Sequence, residues 1–134
     1  MSIDRRILIA DDDEDVRKGT AELLGPLGLE IVLAEDGVEA LELVRRRDLD
    51  LALLDNRMPG LTGLEVLQAI RSEILGVPAI LCSGDVRDHA DLVRFAQAAG
   101  AFAVLPKPVA PGLLKREVVR ALELPPTMGL HGEA

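Results

Sequence analysis

The amino-acid sequence predicts an α/β fold, a three-layer sandwich in which helices cover both faces of a parallel five-stranded sheet. Apolar runs bounded by turn residues alternate with segments of helical period, which is the pattern of repeated βα units. The runs are short and almost wholly apolar, as strands buried on both faces are. Size sets the scale: a chain of 134 residues holds one compact core and is too short for a second domain of ordinary size.

A first strand from Ile7 to Ala10 runs into Asp11 and Asp12, and a helix is expected from Glu14 to Leu24. The second strand, Glu30 to Ala34, ends in Glu35, Asp36 and Gly37 and gives way to a helix from Val38 to Arg46. Arg45, Arg46 and Arg47 close that helix, where cations complement the helix dipole, so a solvated terminus is expected there rather than a binding patch. The third strand, Leu51 to Leu54, meets Asp55, breaks at Met58-Pro59-Gly60 and is followed by a helix from Gly63 to Ser72. The fourth, Ala79 to Cys82, precedes Ser83 and a helix from Asp88 to Ala99. The fifth, Ala101 to Leu105, precedes Lys107 and a last helix from Gly112 to Leu122, in which Leu114, Val118, Val119 and Leu122 share one face. Gly28, Gly76 and Gly100 sit between a helix and a strand, where a left-handed cap residue is wanted. The domain is expected to span residues 1–124, with PPTMGLHGEA, residues 125–134, a flexible tail or the stub of a linker.

Composition narrows the function. Apolar residues make up 49% of the chain and Phe95 and Phe102 are its only aromatics, so the core is aliphatic. A formal net charge of −8 argues against a grip on the phosphate backbone of DNA or RNA, which needs a clustered basic surface. No direct contact with nucleic acid is expected. Cys82 is the only cysteine, which rules out an internal disulfide and fits a reducing compartment. The opening MSIDRRILIADDD reaches its aspartates after an apolar run of only four residues, neither a signal peptide nor a membrane span. A cytoplasmic location without membrane contact is the expectation.

Polar residues stand where the strands end: Asp11 and Asp12 after the first, Asp55 after the third, Ser83 after the fourth and Lys107 after the fifth. In open α/β sheets ligands bind outside the carboxyl ends of the strands, and in the common order 2-1-3-4-5 these four strands are neighbours while the second lies at an edge. Carboxylates gathered in one cleft repel each other, by roughly 4 kcal/mol for a pair about 4 Å apart at an effective dielectric near 20. A cation therefore belongs among them. Hard oxygen ligands favour Mg²⁺, which takes one or two carboxylates together with phosphate oxygens. Mg²⁺ and Lys107 together offset the three carboxylates, and a phosphoryl group can then enter without a large unbalanced field. The arrangement suits phosphoryl transfer onto a carboxylate. Asp55, at the end of the central strand, is the candidate nucleophile, Asp11 and Asp12 are candidate metal ligands, Ser83 offers a hydroxyl to a phosphoryl oxygen, and Lys107 has the reach to cross from the outer strand.

Through ILIADDDEDVR, LALLDNRMPGLTGLEVL, AILCSGD and GAFAVLPKPV, in that order and spacing, the chain resembles a response-regulator receiver domain of two-component signalling. The resemblance implies a flavodoxin-like fold with sheet order 2-1-3-4-5, the same order the strand-end reading uses. It implies that Asp55 is the phosphoacceptor, that Asp11, Asp12, Asp55 and the backbone carbonyl of Arg57 bind Mg²⁺, that Ser83 is the switch hydroxyl and that Lys107 pairs with the phosphoryl group. The implied donor is a phosphohistidine on a sensor histidine kinase or histidine phosphotransfer protein. The implied role is a stand-alone receiver that relays the signal to a downstream protein and catalyses nothing beyond its own phosphorylation and dephosphorylation. The Lys107-Pro108 peptide is expected to be cis. One position departs from the family pattern: three residues before Lys107, where an aromatic ring often swings inward with the switch hydroxyl, stands Val104. A ring-flip readout is therefore not expected, and phosphorylation is expected to act by drawing Ser83 inward and shifting the loop that follows.

Other readings compete. A small Mg-dependent phosphatase of the haloacid-dehalogenase type also uses a strand-end aspartate as nucleophile, and Asp11-x-Asp13 resembles its motif. The residues that usually follow that pair are absent, and there is no cap domain to enclose a substrate. An interaction module that is never phosphorylated would carry the same acidic pocket. Taken singly, each residue also has a plain role: Asp11 or Asp12 as a helix cap, Asp55 in a turn, Lys107 as an edge-strand charge, Ser83 in turn chemistry with Gly84. Their joint occurrence favours the site. Cys82 reads as a small buried hydrophobe, and His89 and His131 have no companion at metal spacing.

Overall fold

A computed structural model of the chain describes residues 5–84 and 89–123. Among these residues five parallel strands, β1 Arg6–Ala10, β2 Glu30–Ala34, β3 Leu51–Asp55, β4 Ala79–Ser83 and β5 Ala103–Pro106, form one sheet in the order β2-β1-β3-β4-β5. The helices between and after them are α1 Glu14–Leu24, α2 Gly37–Arg45, α3 Gly63–Ser72, α4 His89–Ala98 and α5 Pro111–Leu122. Fold class and strand order agree with the sequence reading. The expected tail at 125–134 and the expected first helical residue Asp88 lie outside the described residues.

Strand alternation builds a core on each face. On β3, Leu51 and Leu53 pack with Ile7, Ile9, Leu114 and Val118 beneath α1 and α5, whereas Ala52 and Leu54 pack with Leu8, Val66, Leu67 and Ala96 beneath α2, α3 and α4. All five residues of β3 are buried, Asp55 included. Each fully buried aliphatic side chain contributes about 1.5–3 kcal/mol, so the central strand is the stiff rail on which Asp55 is mounted. Phe95 and Phe102 stay largely outside the core, at 60% and 37% exposure, so the interior is aliphatic.

The boundaries differ from expectation where hydrogen bonding outlasts hydrophobicity. Both β3 and β4 run one residue further than their apolar runs, because Asn56 N–H still donates to Cys82 O at 2.8 Å and Lys107 N–H to Ser83 O at 2.8 Å. Asp55 and Ser83 are thereby ladder residues, opposite Cys82 and Pro106. The fifth strand starts later than Ala101, whose N–H still closes the turn after α4 on Ala96 O at 2.9 Å. A single 3-10 turn at Gly25–Leu27 extends α1. Gly28, Gly76 and Gly100 take the expected left-handed conformation, with φ of 77°, 77° and 88°.

Candidate functional site

Parallel pairing of β1 with β3 sets Ala10 opposite Leu54, so Asp11 and Asp55 leave adjacent strands at one level. Lys107 leaves β5 on the far side of β4, and its side chain reaches back across. Its Nζ lies 3.1 Å from Asp11 Oδ2 and 3.4 Å from Asp55 Oδ1. Asp11 and Asp55 are each only 6% exposed, while Asp12 is open to solvent. One carboxylate oxygen from each of Asp11, Asp12 and Asp55 lies within 4.8 Å of the others. The Lys107-Pro108 peptide is cis, as the resemblance implied.

Local bonding holds the acids in place. Asp11 N–H donates to Ala34 O at 3.1 Å, and Asp11 Oδ1 accepts from Asp13 N–H at 2.9 Å. Asp11 O accepts from Arg17 Nη1 at 2.7 Å. Below Asp55 the chain locks onto the first turn of α3: Asn56 Oδ1 accepts from Leu64 N–H and Asn56 O from Gly63 N–H, both at 3.0 Å. A Cβ on Gly63 would come within 2.6 Å of both Asp55 O and Leu81 Cδ1, so only glycine lets α3 start this close under the acid. Thr62 and Glu65 close a reciprocal capping box at the same point.

Burial pushes the Asp55 carboxyl above the usual carboxylate range, and the Asp11 charge pushes it the same way. Lys107 and the backbone N–H of Arg57 oppose both without cancelling them. For Lys107, burial alone would lower its pKa, but the charge of Asp55 and the hydrogen bond to Asp11 outweigh it and hold the ammonium charged. One ammonium facing three carboxylates leaves the cup short of positive charge. Three hard oxygen donors around a point that Asp12 keeps open to water suit Mg²⁺, which holds several waters and takes few protein ligands. The residues fit that ion.

Each expected side chain reaches the carboxyl edge of the sheet, with differences among them. Ser83 is 4% exposed and lines a recess of about 270 Å³ with Asn56, Arg57, Leu92 and Phe95 on the α4 side. Asp11, Asp55 and Lys107 line another cavity, of about 280 Å³, between α1 and the Pro108-Val109 segment. Cys82 borders that second cavity, and burial pushes its thiol up to about 12, so it packs rather than reacts. Val104, opposite Leu81 on β5, packs on the core over α4 and brings no ring.

Asp13 does not join the acid cluster. Its Oδ1 accepts from Asp15 N–H at 2.9 Å and Val16 N–H at 3.2 Å and caps α1, the role that Asp11 or Asp12 was a candidate for. The Asp11-x-Asp13 pair needed by the phosphatase reading is therefore not assembled. Arg17 and Gly63 were missed as contributors to the site. Arg17 had one signal in the sequence: it falls on the helical stripe of Ala21 and Leu24, which α1 turns toward the sheet.

The acidic cup with its bridging lysine thus stands at the carboxyl edge of a doubly wound sheet, where open α/β sheets bind ligands. Residues 7–119 match the family model described as the response regulator receiver domain, and the chain belongs to that family. It is 42% identical over 106 residues to a response regulator receiver protein of Anaeromyxobacter sp., covering 79% of this chain and 44% of that protein. It is 41% identical over 85 residues to the CAI-1 autoinducer sensor kinase/phosphatase CqsS of Vibrio cholerae, covering 61% of this chain and 12% of that one. Among solved structures, the signal receiver domain of the response regulator NarL from Mycobacterium tuberculosis superposes with a TM-score of 0.83 at 32% identity, covering 92% of this chain and 100% of that domain. The chain thus spans less than half the length of these curated relatives. Receiver domains are phosphoacceptor signalling domains of two-component systems. No helix among the described residues is long and apolar enough to cross a membrane.

Proposed function

We propose that this chain is a Mg²⁺-dependent phosphoacceptor switch in which Asp55 receives a phosphoryl group from a phosphohistidine on a sensor histidine kinase or a histidine phosphotransfer protein. The observation that carries the reading is Lys107 Nζ between Asp11 Oδ2 and Asp55 Oδ1, beside three clustered carboxylate oxygens. Asp11, Asp12, Asp55 and the carbonyl of Arg57 would hold the ion, which when bound offsets the carboxylates and draws charge from the phosphoryl oxygens. An Asp55 oxygen attacks phosphorus, the phosphorus–nitrogen bond breaks, and its electron pair leaves on the imidazole. Lys107 stays paired with a phosphoryl oxygen as the new acyl phosphate forms. Hydrolysis reverses the state: water attacks phosphorus, inorganic phosphate leaves and the Asp55 carboxylate returns.

Ser83 donates its hydroxyl to a phosphoryl oxygen and moves toward Asp55, which shifts the chain after β4. With Val104 in place of a ring, the signal passes to a downstream protein through the movement of Ser83. The chain acts in the cytoplasm as a receiver and catalyses only its own phosphorylation and dephosphorylation. Incubation with acetyl phosphate and Mg²⁺ followed by intact-mass measurement tests this. The wild type is expected to gain one phosphoryl group, and Asp55→Asn or wild type in chelator to gain none. A wild type that stays unlabelled, or an Asp55→Asn variant that labels while Asp11→Asn does not, overturns the reading.

A further inference from the structure

Among the described residues the phosphoacceptor reading leaves two buried charges without a role, Glu117 and Arg17, and Glu117 is paired with Arg120 at 2.6 Å. Arg17 on α1 is 8% exposed, and its Nη1 donates at 2.7 Å to the main-chain carbonyl of Asp11. Its bond is to a main-chain carbonyl, whereas its neighbour Lys18 turns outward to the Glu14 carboxylate at 2.6 Å. A guanidinium remains charged in a protein, and burying one against a carbonyl is costly. A residue wanted here only for packing would be aliphatic.

Asp11 is held at every polar atom it has. Its N–H is on Ala34 O, its Oδ1 beneath Asp13 N–H, its Oδ2 against Lys107, and its O on Arg17. The two carboxylate contacts use the oxygens that an ion would share. The other two hold the main chain and are untouched by ion binding, and of these the Arg17 contact alone comes from a side chain. It also joins the turn to α1, six residues on.

We propose that Arg17 is a positioning residue: it anchors the turn between β1 and α1 so that the Asp11 carboxylate is already aimed for Mg²⁺. It touches neither the ion nor the phosphoryl group and acts through Asp11. This rests on the Mg²⁺-dependent reading of the site. Groups that orient a metal ligand typically govern about 10–100-fold in metal affinity.

The test is a Mg²⁺ titration of the metal-free chain, followed by proton–nitrogen NMR at the amides of Asp12 and Asn56, for wild type, Arg17→Met and Arg17→Lys. Circular dichroism on the same samples confirms that each variant is folded. Arg17→Met is expected to bind Mg²⁺ about tenfold more weakly, and Arg17→Lys, which keeps a charged donor, to recover part of the loss. Labelling by acetyl phosphate in Arg17→Met should return to near the wild-type rate once Mg²⁺ is saturating. The proposal is overturned if Arg17→Met binds Mg²⁺ as tightly as wild type, if Arg17→Lys binds no better than Arg17→Met, or if the rate defect persists at saturating Mg²⁺. A wild type without any Mg²⁺-dependent shift overturns the reading of the site itself and the proposal with it.

Discussion

Replacing Asp55 with Asn should make the folded chain more stable while removing its capacity to accept a phosphoryl group. Asp55 is 6% exposed and its carboxylate lies within 4.8 Å of an oxygen on Asp11 and another on Asp12. At an effective dielectric near 20, each such like-charge pair costs about 3.5 kcal/mol. The contact with Lys107 Nζ at 3.4 Å returns about 5 kcal/mol on the same scale. Repulsion therefore exceeds attraction by about 2 kcal/mol. Screening of the exposed Asp12 reduces this, and burial of the Asp55 charge adds to it. Asn keeps the shape and an acceptor oxygen, so the variant should gain about 1–2 kcal/mol at neutral pH without divalent ion.

The gain depends on pH with a defined sign. Because the Asp55 pKa is raised above 3.8 in the folded state, this carboxyl favours folding below 3.8 and loses that contribution as pH rises through its folded value. The advantage of Asp55→Asn is therefore full at neutral pH and fades as pH falls toward 3.8, where the wild-type carboxyl is itself uncharged. Mg²⁺ should narrow the gap from the other side by binding and stabilising the wild type. Urea unfolding followed by circular dichroism in chelator, across the acid-to-neutral range, measures all of this. An Asp55→Asn variant no more stable than wild type at neutral pH, or one whose advantage persists unchanged in acid, refutes the electrostatic argument.

Three further outcomes follow from particular contacts. Gly63→Ala should lose about 1–3 kcal/mol in urea unfolding and label more slowly with acetyl phosphate, because the new Cβ displaces Asp55 O; unchanged stability would contradict the packing of α3. Cys82, its thiol pushed up to about 12 by burial, should react slowly with a disulfide reagent in the native state and rapidly in denaturant, and fast native labelling would show the thiol to be ionised. Ile74 is 79% exposed at φ 52°, a left-handed conformation that a β-branched residue adopts at a cost of about 1–2 kcal/mol. Ile74→Asn should therefore raise the thermal midpoint, and a lower midpoint would mean the position is not strained.

Much of the fold was legible because burial on both faces writes a strand as an unbroken apolar run, as in Leu51 to Leu54. Strand ends were less legible. Asp55 and Ser83 continue their ladders through backbone bonds that side-chain polarity does not report, and Ala101 looks like strand while its N–H still serves the end of α4. The acids and Lys107 were readable because a polar residue directly after a buried strand stands at the ligand-binding edge of an α/β sheet. Which of three successive aspartates caps α1 was not readable, since it depends on the residue at which the helix starts; Asp13 takes that role. Arg17 escaped notice because one long cation in EDVRKGTAELL looks solvated unless its stripe with Ala21 and Leu24 is followed. Gly63 escaped because a close approach of α3 to Asp55 O exists only in three dimensions.

The proton–nitrogen spectrum of the labelled chain, recorded with Mg²⁺ and beryllofluoride together, probes the acidic cup most directly, since beryllofluoride bound to a carboxylate has the shape of a phosphoryl group. The amides of Ser83 and Lys107 should shift only when both are present, and not at all in Asp55→Asn. A wild-type spectrum that both additions leave unchanged, or the same shifts in Asp55→Asn, would contradict a phosphoryl site built on Asp55, Lys107 and a divalent ion.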